Sequence, residues 1–591
     1  MRLGLRRRRL SAGVDHGLSP LVFSLFAVGL GVVAGLGAWV FRALIALVHD
    51  AAFLGTLSIR YDANAHTPDS PWGLGVALVP VLGAMVVVFL VTRFAPEAKG
   101  HGVPEVMDAI YYKKGQIRGV VAAIKAVASA ISIGTGGSVG REGPIVQIGA
   151  AVGSWSAGVF GASRWQRATL VAAGGGAGIA ATFNTPIGGI LFAVEVLMHE
   201  VSVRTLVPVA LAATTATYVG RALFGNVPAF PLPPIEASER LTSLPAFALL
   251  GVATALASIL FIRSLYGAED LFERWIPKHP YLRHGLGMTG VGVLLVAMHE
   301  WGGHYYVGGV GYATIVDVLT APPSLALLGA LFFGKLLATS STLGSGGSGG
   351  IFSPALFLGA TLGAAFGTVA APVVHEHPAV FVLAGMAGMV SGTTGAVLTA
   401  MVMLFEMTLD YAVVLPMALT ATVAYGVRRA LHPESVYTMK LTRRGHVMPA
   451  ALQANAHLVH HVSDIALPAV AVLGVDVAPS ALDLGSHPES PDHFVLVDED
   501  RIAGVLSREW ARAHPERLAA VHRLGDLICP EPIVIAPDAT VFDLLAHLQR
   551  GRVDVAVVAE TSGGTPPKVV GVITKAHVAE ALAEGMEIFQ D

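Results

Sequence analysis

Long stretches with almost no charged residues restrict the fold of this chain more than any other feature of its sequence. Several of them reach the ~20 residues that a helix needs to cross the hydrocarbon core of a bilayer. Because backbone polar groups inside a bilayer must be paired within the protein, only helices and closed barrels span it. The other stretches are shorter or are interrupted by glycine, which predicts broken helices that lie inside the protein or line a polar cavity. The stretches cover residues 21–48, 74–92, 168–194, 204–219, 244–262, 322–334, 377–404 and 411–427.

The composition also indicates a membrane protein. Of the 591 residues, 53% are hydrophobic and 13% are charged, whereas about 25% of the residues of a soluble domain are charged. The formal net charge of −3 argues against a nucleic-acid-binding protein, whose binding surface would be basic. Cys529 is the only cysteine, which excludes intrachain disulfides and cysteine-rich metal sites.

The first residues, MRLGLRRRRLSAG, place a cluster of arginines ahead of the first apolar stretch. Positive charge is enriched on the cytoplasmic side of membrane proteins, so we expect the N-terminus in the cytoplasm and the protein in the plasma membrane. An uncleaved start-transfer signal is the alternative. A cleaved signal peptide is disfavoured because no short apolar region leads to a small-residue cleavage site.

One apolar segment is repeated in the chain and carries a charge pair in only one of its copies. The segment GTGGSVGREGPIVQIGAAVG (134–153) aligns without gaps onto GSGGSGGIFSPALFLGATLG (344–363), 210 residues further on. Most glycines and the proline match, whereas the Arg-Glu pair of the first copy becomes Ile-Phe in the second. The scaffold is therefore duplicated, and the charges occur once.

A second pair of segments extends the repeat. LVAAGGGAGIAATFNTPIGGILFAVE (170–195) roughly parallels VLAGMAGMVSGTTGAVLTAMVMLFE (382–406), and the copies end on Glu195 and Glu406. Two related halves are typical of internally repeated transporters and channels, which place their site at the repeat interface near the middle of the membrane. The repeat by itself leaves open whether the halves are inverted.

Three stretches share one design, in which glycines precede a proline and an apolar helical run follows. They are KGHGVPEVMDAI (99–110), GREGPIVQIG (140–149) and GGIFSPALFLG (349–359). Proline suits the first helical turn because the amide it lacks would be unpaired there, and glycine lets a ligand approach the neighbouring free amides. These amides and the positive end of the helix dipole can hold an anion without a full positive charge. Converging helix ends therefore predict a site that binds an anion only moderately, as conduction requires.

In combination these motifs resemble the CLC family of chloride channels and chloride/proton exchangers. The three anion-pathway motifs of that family correspond to GHGVP (100–104), GREGP (140–144) and GGIFSP (349–354), and its C-terminal pathway tyrosine corresponds to Tyr437 of SVYTMKLTRRG. The segments FNTPIGGILFAVE and VMLFEMTLDY also agree with the family. The resemblance covers residues 20–445.

The resemblance implies an all-α polytopic membrane protein with two inverted repeats of tilted, broken helices. It also implies a homodimer in the lipid bilayer, with one pathway in each subunit for chloride or another small monovalent anion. By position, the backbone amides of Ile351 and Phe352 and the hydroxyl of Tyr437 line a central anion site. The amides of residues 140–143 line an outer site, which adds Gly140, Arg141 and Gly143 to the predicted anion-binding residues.

Glu142 corresponds to the gating glutamate of the family, whose carboxylate occupies an anion site when ionised and leaves it when protonated. A glutamate is then accepted in this apolar segment because amides arranged for an anion also accept a carboxylate. The alternative is a static buried ion pair with Arg141. Adjacent residues at a helix start point apart, and the second copy of the repeat lacks both charges, which disfavours the ion pair.

Two positions depart from the family pattern. His101 stands where serine is usual, and a histidine can donate to an anion and titrates near neutrality; a structural histidine turned away from the pathway is the alternative. Val196 stands where the exchangers carry their inner proton-relay glutamate, which favours a passive or loosely coupled chloride channel. The alternative is a chloride/proton antiporter whose protons use Glu195, His199 or Glu200 instead.

The C-terminal part resembles a tandem pair of cystathionine-β-synthase-type (CBS) domains, which we expect in the cytoplasm. Two copies of a strand, strand, helix pattern occur at 493–513 and 554–582. Trp510 and His577 replace the aspartates with which this family commonly holds a ribose. The pair is therefore expected to pack and dimerise, adenine-nucleotide binding is the less favoured hypothesis, and no other cofactor is expected.

The predicted domains follow these changes in composition. They are a cytoplasmic N-terminal segment (1–19), a transmembrane anion-transport domain (20–430), a linker that includes the pathway tyrosine (431–446) and the CBS pair (447–591).

Two other functional classes compete with anion transport. The sequence HEWGGH (299–304) suggests an intramembrane zinc enzyme, but a zinc protease needs histidines at i and i+4, and these are five apart with two glycines between them. We therefore expect a loop there, no metal site and no enzymatic activity. The other class is a membrane sensor with the CBS pair as its output.

Overall fold

The structure is a computed structural model that describes ten segments of the chain. They are residues 18–59, 62–230, 241–446, 462–466, 470–485, 490–499, 501–527, 532–551, 555–560 and 567–578. The chain divides into two compact units, residues 1–454 and 455–591. The N-terminal arginine cluster and Cys529 lie outside the described residues.

The described part of the first unit is helical. A π-helical segment, Asp50–Leu54, continues the first helix, and another, Ala193–Met198, continues the seventh. The helices are α1 (Pro20–His49), α2 (Val79–Phe94), α3 (Val103–Tyr112), α4 (Gly119–Gly134), α5 (Glu142–Val159), α6 (Arg164–Phe183), α7 (Pro186–Phe192), α8 (Val203–Phe224), α9 (Leu244–Trp275), α10 (Pro280–Gly302), α11 (Tyr312–Thr320), α12 (Leu325–Ser345), α13 (Phe352–Val374), α14 (Pro378–Thr394), α15 (Val397–Thr408), α16 (Val414–Leu431) and α17 (Val436–Thr442).

Seven helical segments of the described chain are long and apolar enough to cross a membrane. Large apolar side chains such as Leu25 and Trp39 on α1 and Phe89 on α2 lie exposed on the protein surface, where lipid would cover them. The predicted all-helical polytopic membrane fold is confirmed. The seven segments are Pro20–Leu54, Gly73–Phe94, Val203–Phe224, Leu241–Trp275, Pro280–Gly302, Leu325–Ser345 and Phe352–Val374.

The predicted helix breaks occur at equivalent places in the two halves. Between α6 and α7, Asn184 adopts a left-handed conformation (φ 61°), and Pro186 begins the next helix. Between α14 and α15, Gly395 adopts the same conformation (φ 84°). Asparagine and glycine are the residues that tolerate this conformation best. Two apolar stretches that would each be one long helix are therefore broken into two.

Gly140 and Gly350 relate the two repeats directly. They stand 210 residues apart, and they form an antiparallel bridge in which each amide donates to the other's carbonyl oxygen, at 2.7 and 2.6 Å. Two equivalent residues that exchange both hydrogen bonds in opposite chain directions are related by a local two-fold axis. This is the geometry of an inverted repeat, the topology that the family resemblance implies.

The two halves also exchange helix caps. Glu195, at the end of the first copy, accepts two amides in the first turn of α15, at 3.1 and 2.7 Å. Glu406, at the end of the second copy, accepts two amides in the first turn of α7, also at 3.1 and 2.7 Å. Carboxylates stabilise helix N-termini through the unpaired amides and the helix dipole. The glutamates that end the two copies thus have a structural role.

Glycines bring the core helices of each half close together. A Cβ on Gly149 of α5 would lie 2.1 Å from the carbonyl oxygen of Gly174 on α6, and the reverse contact has the same length. In the second half Gly359 of α13 and Gly385 of α14 face each other in the same way, at 2.5 Å. Such contacts are typical of membrane helices that pack through small residues. They fix α5 and α13, which carry the predicted anion site.

The second unit contains two three-stranded sheets with the same topology. In each sheet the central strand pairs parallel with the first strand and antiparallel with the third, as expected for two copies of one α/β unit. Val495, Val557 and Val572 belong to a buried cluster that joins the two sheets. The elements are α18 (Val462–Ile465), β1 (Val470–Gly474), β2 (His493–Asp498), β3 (Arg501–Ser507), α19 (Arg508–Ala513), α20 (Pro515–Ala519), β4 (Ile533–Ile535), α21 (Val541–Gly551), β5 (Val555–Glu560) and β6 (Lys568–Thr574).

Trp510 and His577 are engaged within the second unit. The Trp510 amide donates to the Ser507 hydroxyl at 3.1 Å, and the Trp510 ring stacks on His514 at 4.7 Å. The His577 ring nitrogen Nδ1 lies 3.0 Å from the Thr574 hydroxyl. The His577 side chain therefore contacts the residue that precedes its helical segment, and the Trp510 ring packs on the residue that ends α19.

The prediction of a loop for HEWGGH is wrong for the first four residues of this motif. Helix α10 continues through His299 to Gly302, because the left-handed residue that ends it is Gly303 (φ 85°). The two histidines then point to different partners: His299 stacks on Tyr305 and His304 stacks on His66. The part of the chain that the structure describes holds no cluster of three or more metal-binding side chains.

Candidate anion pathway

Four helix starts meet in the buried interior of the first unit, two from each half. They are the starts of α3, α5, α11 and α13. Gly102 and Gly311, which precede α3 and α11, have positive φ values of 84° and 79°, a conformation that favours glycine. The starts approach each other closely, since a Cβ on Gly143 of α5 would lie 2.0 Å from the carbonyl oxygen of His101. The three starts predicted from their prolines therefore converge, and a fourth joins them.

Two buried lysines hold the loops before α3 and α11. Lys125 and Lys335 stand 210 residues apart, and each is 0% exposed. The Lys125 ammonium donates to two carbonyl oxygens of the loop before α3, at 3.0 and 2.7 Å. Lys335 donates to two carbonyl oxygens of the loop before α11, at 3.1 and 3.0 Å. Buried charges need such partners, and here the same pairing fixes both loops.

The Glu142 carboxylate lies at the N-terminus of α13 and is buried. Its Oε1 accepts a hydrogen bond from the Tyr312 hydroxyl at 2.6 Å and another from the Ser353 hydroxyl. Its Oε2 accepts the backbone amide of Ser353 at 3.3 Å, and a Cβ on Gly140 would lie 2.0 Å from it. The carboxylate thus fills a tight space lined by an amide and two hydroxyls, donors that also serve an inorganic anion.

Arg141 does not neutralise Glu142 directly. Among the described residues, no ion pair of up to 4.0 Å joins the two side chains, and the buried Nε of Arg141 has no hydrogen-bond partner. The guanidinium lies instead over the ring of Tyr312, 5.2 Å from its centroid, and near Phe183 at 5.8 Å. A static ion pair is therefore not what holds Glu142 in this segment.

Backbone amides at the starts of α5 and α13 are available to a ligand. Within the described chain, the amides of Ile351 and Phe352 have no protein acceptor, and neither do those of Arg141 and Gly143. The Gly140 amide, which the sequence placed in the outer site, donates to Gly350 in the antiparallel bridge. That amide belongs to the scaffold, whereas the four amides just named remain unpaired.

His101 lies beside the predicted pathway tyrosine. Its ring centroid is 6.1 Å from that of Tyr437, and its Nε2 is 3.4 Å from the hydroxyl of Tyr266, which donates to the Val436 carbonyl oxygen. The other ring nitrogen, Nδ1, is buried without a partner in the described chain. The histidine therefore has one nitrogen near a structural hydroxyl and one that is free to meet a ligand.

A cavity of about 260 Å³ is lined in part by Tyr437. Its walls include Glu195, Val196 and His199. His199 has a left-handed backbone (φ 49°), and its Nδ1 is buried without a partner among the described residues. The Glu195 oxygens accept hydrogen bonds from the α15 amides. Glu200 is not among the residues that line the cavity, and it accepts a hydrogen bond from a serine hydroxyl at 3.1 Å. Of the three residues proposed as a substitute proton route, Glu195 and His199 line this cavity, and His199 has a ring nitrogen without a partner in the described chain.

Sequence reasoning missed Tyr312, because GVGYATI, the fourth helix start, contains no proline. The repeat spacing was the signal that could have found it. Gly311 follows Gly102 by 209 residues, and Lys335 follows Lys125 by 210. The loop that carries Tyr312 is thus the repeat partner of the loop that carries the first anion-pathway motif.

Comparison with known proteins extends these findings. A family model described as voltage gated chloride channel matches residues 83–429, and a CBS domain model matches residues 524–584. The H(+)/Cl(-) exchange transporter ClcA of Vibrio parahaemolyticus serotype O3:K6 (strain RIMD 2210633) is 33% identical over 447 residues, which cover 73% of this chain and 91% of that protein.

Solved structures have the same fold. A slow cyanobacterial Cl⁻/H⁺ antiporter superimposes with a TM-score of 0.64 at 27% identity, over 72% of this chain and 98% of the antiporter. A eukaryotic CLC transporter superimposes with a TM-score of 0.61 over 94% of this chain and 98% of that chain; at 20% identity this likeness concerns the fold alone. From the match to the family model and the identity to ClcA over nearly its whole length, this chain belongs to the CLC family of voltage-gated chloride channels and transporters and carries CBS domains at its C-terminal end.

Proposed function

We propose that the protein exchanges chloride for protons across a membrane, and that Glu142 both carries the proton and competes with the anion. The observation that supports this most is the position of the Glu142 carboxylate, which accepts the Ser353 amide at the N-terminus of α13. The unpaired amides of Ile351 and Phe352 lie in the same turn. Chloride requires the same kind of donors as a carboxylate. The two anions therefore compete for one site.

The proposed cycle follows from this competition. When Glu142 is ionised, the helix dipole of α13 and the nearby Lys335 favour its carboxylate in the site, and chloride is excluded. Protonation removes the charge, so the side chain leaves and chloride binds to the amides. Release of the proton returns the carboxylate and displaces the chloride. Chloride flux is therefore expected to rise as the pH falls.

The relatives favour exchange over the passive channel that Val196 led us to expect. ClcA is named an H(+)/Cl(-) exchange transporter, and the cyanobacterial structure is titled a Cl⁻/H⁺ antiporter. Val196 remains the observation behind the second candidate, a passive or loosely coupled channel, because an aliphatic side chain cannot relay a proton. Exchange then requires an inner proton route that does not use residue 196.

We assign the inner proton step to His199, which lines the same cavity as Tyr437 and has an unpaired Nδ1 among the described residues. His199→Asn is expected to reduce proton uptake per chloride by on the order of a hundredfold, the lower end of what a positioned acid or base contributes, while chloride flux persists. The measurement is proton and chloride flux in the same liposomes. His375→Asn is the matched control, since His375 has the same left-handed backbone (φ 56°) at the far end of α13. Unchanged coupling in His199→Asn would remove His199 from the route.

We propose that His101 contributes to anion preference through its free Nδ1. A hydrogen bond contributes about 0.5–1.5 kcal/mol, so His101→Ser is expected to change the nitrate-to-chloride permeability ratio about two- to tenfold. His284→Asn is the control, because His284 is also buried but its Nδ1 is already hydrogen-bonded to the Ser345 hydroxyl. An unchanged ratio in His101→Ser would make His101 a structural residue.

We also propose a homodimer in the plasma membrane, with the N-terminus and the CBS domains in the cytoplasm. The arginine cluster at the N-terminus supports this orientation. Because Tyr437 is the last predicted pathway residue, the CBS pair is expected to act on activity or assembly rather than on anion selectivity. Adenine-nucleotide binding by the pair is the weaker hypothesis, since Trp510 and His577 stand where the family commonly has aspartates and their rings contact His514 and Thr574 within the same unit.

Proton uptake driven by a chloride gradient tests the proposed exchange. Liposomes that contain the purified protein are loaded with chloride and diluted into a low-chloride buffer, and the external pH is followed. Protons are expected to move into the liposomes against their gradient as chloride leaves. Chloride efflux without proton movement would indicate a passive channel, and no flux of either ion would favour a membrane sensor.

A further inference from the structure

We propose that Tyr312 is a positioning residue for Glu142, and that together with Ser353 it retains the ionised carboxylate in the anion site. The Tyr312 hydroxyl donates to Glu142 Oε1 at 2.6 Å and lies 2.9 Å from the Ser353 hydroxyl. The Ser353 hydroxyl donates to the same carboxylate. The inference rests on the proposed role of Glu142 as the gate. It adds that the two hydroxyl donors determine the pH at which the carboxylate leaves the site.

The surroundings of Tyr312 fix the direction of its hydroxyl. The side chain is 1% exposed, so its ring cannot turn toward solvent. Arg141 lies over the ring at 5.2 Å, and Phe230 contacts it edge-on at 5.5 Å. The backbone is held by left-handed Gly311 and by the loop that Lys335 fixes. A buried phenol needs a hydrogen-bond partner, and here the partner is the carboxylate.

The hydroxyl distinguishes the two protonation states of Glu142. A donor favours the ionised form of a carboxylate over the neutral form. The other charged or titratable groups near Glu142 are the adjacent Arg141, which lies over the Tyr312 ring, Lys335 on α12 and Tyr437 on α17. All three remain when Tyr312 is changed to phenylalanine. That substitution therefore isolates the contribution of one hydrogen bond to the retention of the carboxylate.

The neighbouring cavity provides a matched control. A small cavity of about 50 Å³ is lined by Tyr312 and also by Tyr305 and Tyr306. The Tyr306 hydroxyl donates to the carbonyl oxygen of Gly302 at 2.7 Å and makes no contact with Glu142 in the described structure. Tyr306→Phe thus removes a phenol hydroxyl from the same cavity without touching the carboxylate.

The test is the pH dependence of chloride flux in liposomes for Tyr312→Phe. Without the hydroxyl, the carboxylate should leave the site at higher pH, and the pH of half-maximal flux is expected to rise by about one to two units, the size of one hydrogen bond to a charged group. Ser353→Ala is expected to shift it in the same direction, and Tyr306→Phe should leave it unchanged. A purely structural loss would lower the flux at every pH without moving the midpoint, which would overturn the inference.

A second comparison separates this inference from the proposed function. In a Glu142→Gln background, Tyr312→Phe is expected to have no further effect on flux, because no carboxylate remains to be retained. If Glu142→Gln abolishes the pH dependence but Tyr312→Phe and Ser353→Ala both leave the midpoint in place, the inference is wrong and the proposed gate stands. If Glu142→Gln itself keeps the pH dependence, the gate and the inference both fail.

Discussion

Glu142→Gln is expected to raise chloride flux, to abolish its dependence on pH and to uncouple it from protons. Glutamine has the shape of the protonated carboxylic acid but no charge, so the amides at the start of α13 and the two hydroxyl donors no longer favour it over chloride. The site is then open at every pH, and no proton can be carried on the side chain. Flux assays in liposomes between pH 4.5 and 7.5 provide the measurement.

Glu376→Gln is the control for this prediction. Glu376 is also a buried glutamate, but it follows the other end of α13. Its replacement should leave both the pH dependence and the coupling as in the parent protein. A folded Glu142→Gln variant with the parent's flux and pH dependence would contradict the role of Glu142.

Gly143→Ala is expected to destabilise the membrane domain and to abolish transport. The added Cβ would lie 2.0 Å from the carbonyl oxygen of His101 and 3.0 Å from the Cα of Gly350, which are backbone atoms that cannot move without separating the helix starts. Overpacking of this kind costs on the order of 1–3 kcal/mol or more. Helix propensity alone would predict the opposite result, because alanine is more favourable than glycine in a helix such as α5.

Thermal unfolding of the purified protein and chloride flux measure this effect. Gly37→Ala is the control, because Gly37 lies within α1 and a Cβ there meets no atom within 4 Å. That variant should unfold at the parent's temperature or slightly above it. If Gly143→Ala were as stable and active as the parent protein, the close approach of α3, α5 and α13 would not be required.

The fold was largely predictable because its main signals are local or periodic. Apolar stretches of spanning length predicted the membrane helices, and the glycines that interrupt other stretches predicted broken helices. The Gly-Pro motifs predicted three of the four converging helix starts, because a helix start with unpaired amides can be identified from the local sequence alone. The gapless repeat gave the two halves, although only the antiparallel bridge of Gly140 and Gly350 shows that they are inverted.

The side-chain contacts within the site were not predictable in the same way. Tyr312 lies 170 residues from Glu142 in the chain, and its helix start lacks the proline that marked the others. Glu195 was considered for proton transfer, whereas the structure gives both of its oxygens to amides about 200 residues away. Such pairings depend on which elements the fold brings together. The 210-residue spacing was the one signal that could have led to Tyr312.

The reversal potential under opposing gradients tests the central claim most directly. Current or chloride flux is measured in liposomes with a fixed chloride gradient, first at equal pH and then with a pH gradient directed against it. Chloride/proton exchange predicts that the pH gradient displaces the reversal potential from the chloride equilibrium potential, and that Glu142→Gln removes the displacement. A parent protein that reverses at the chloride equilibrium potential whatever the pH gradient would contradict the account and would establish a passive channel.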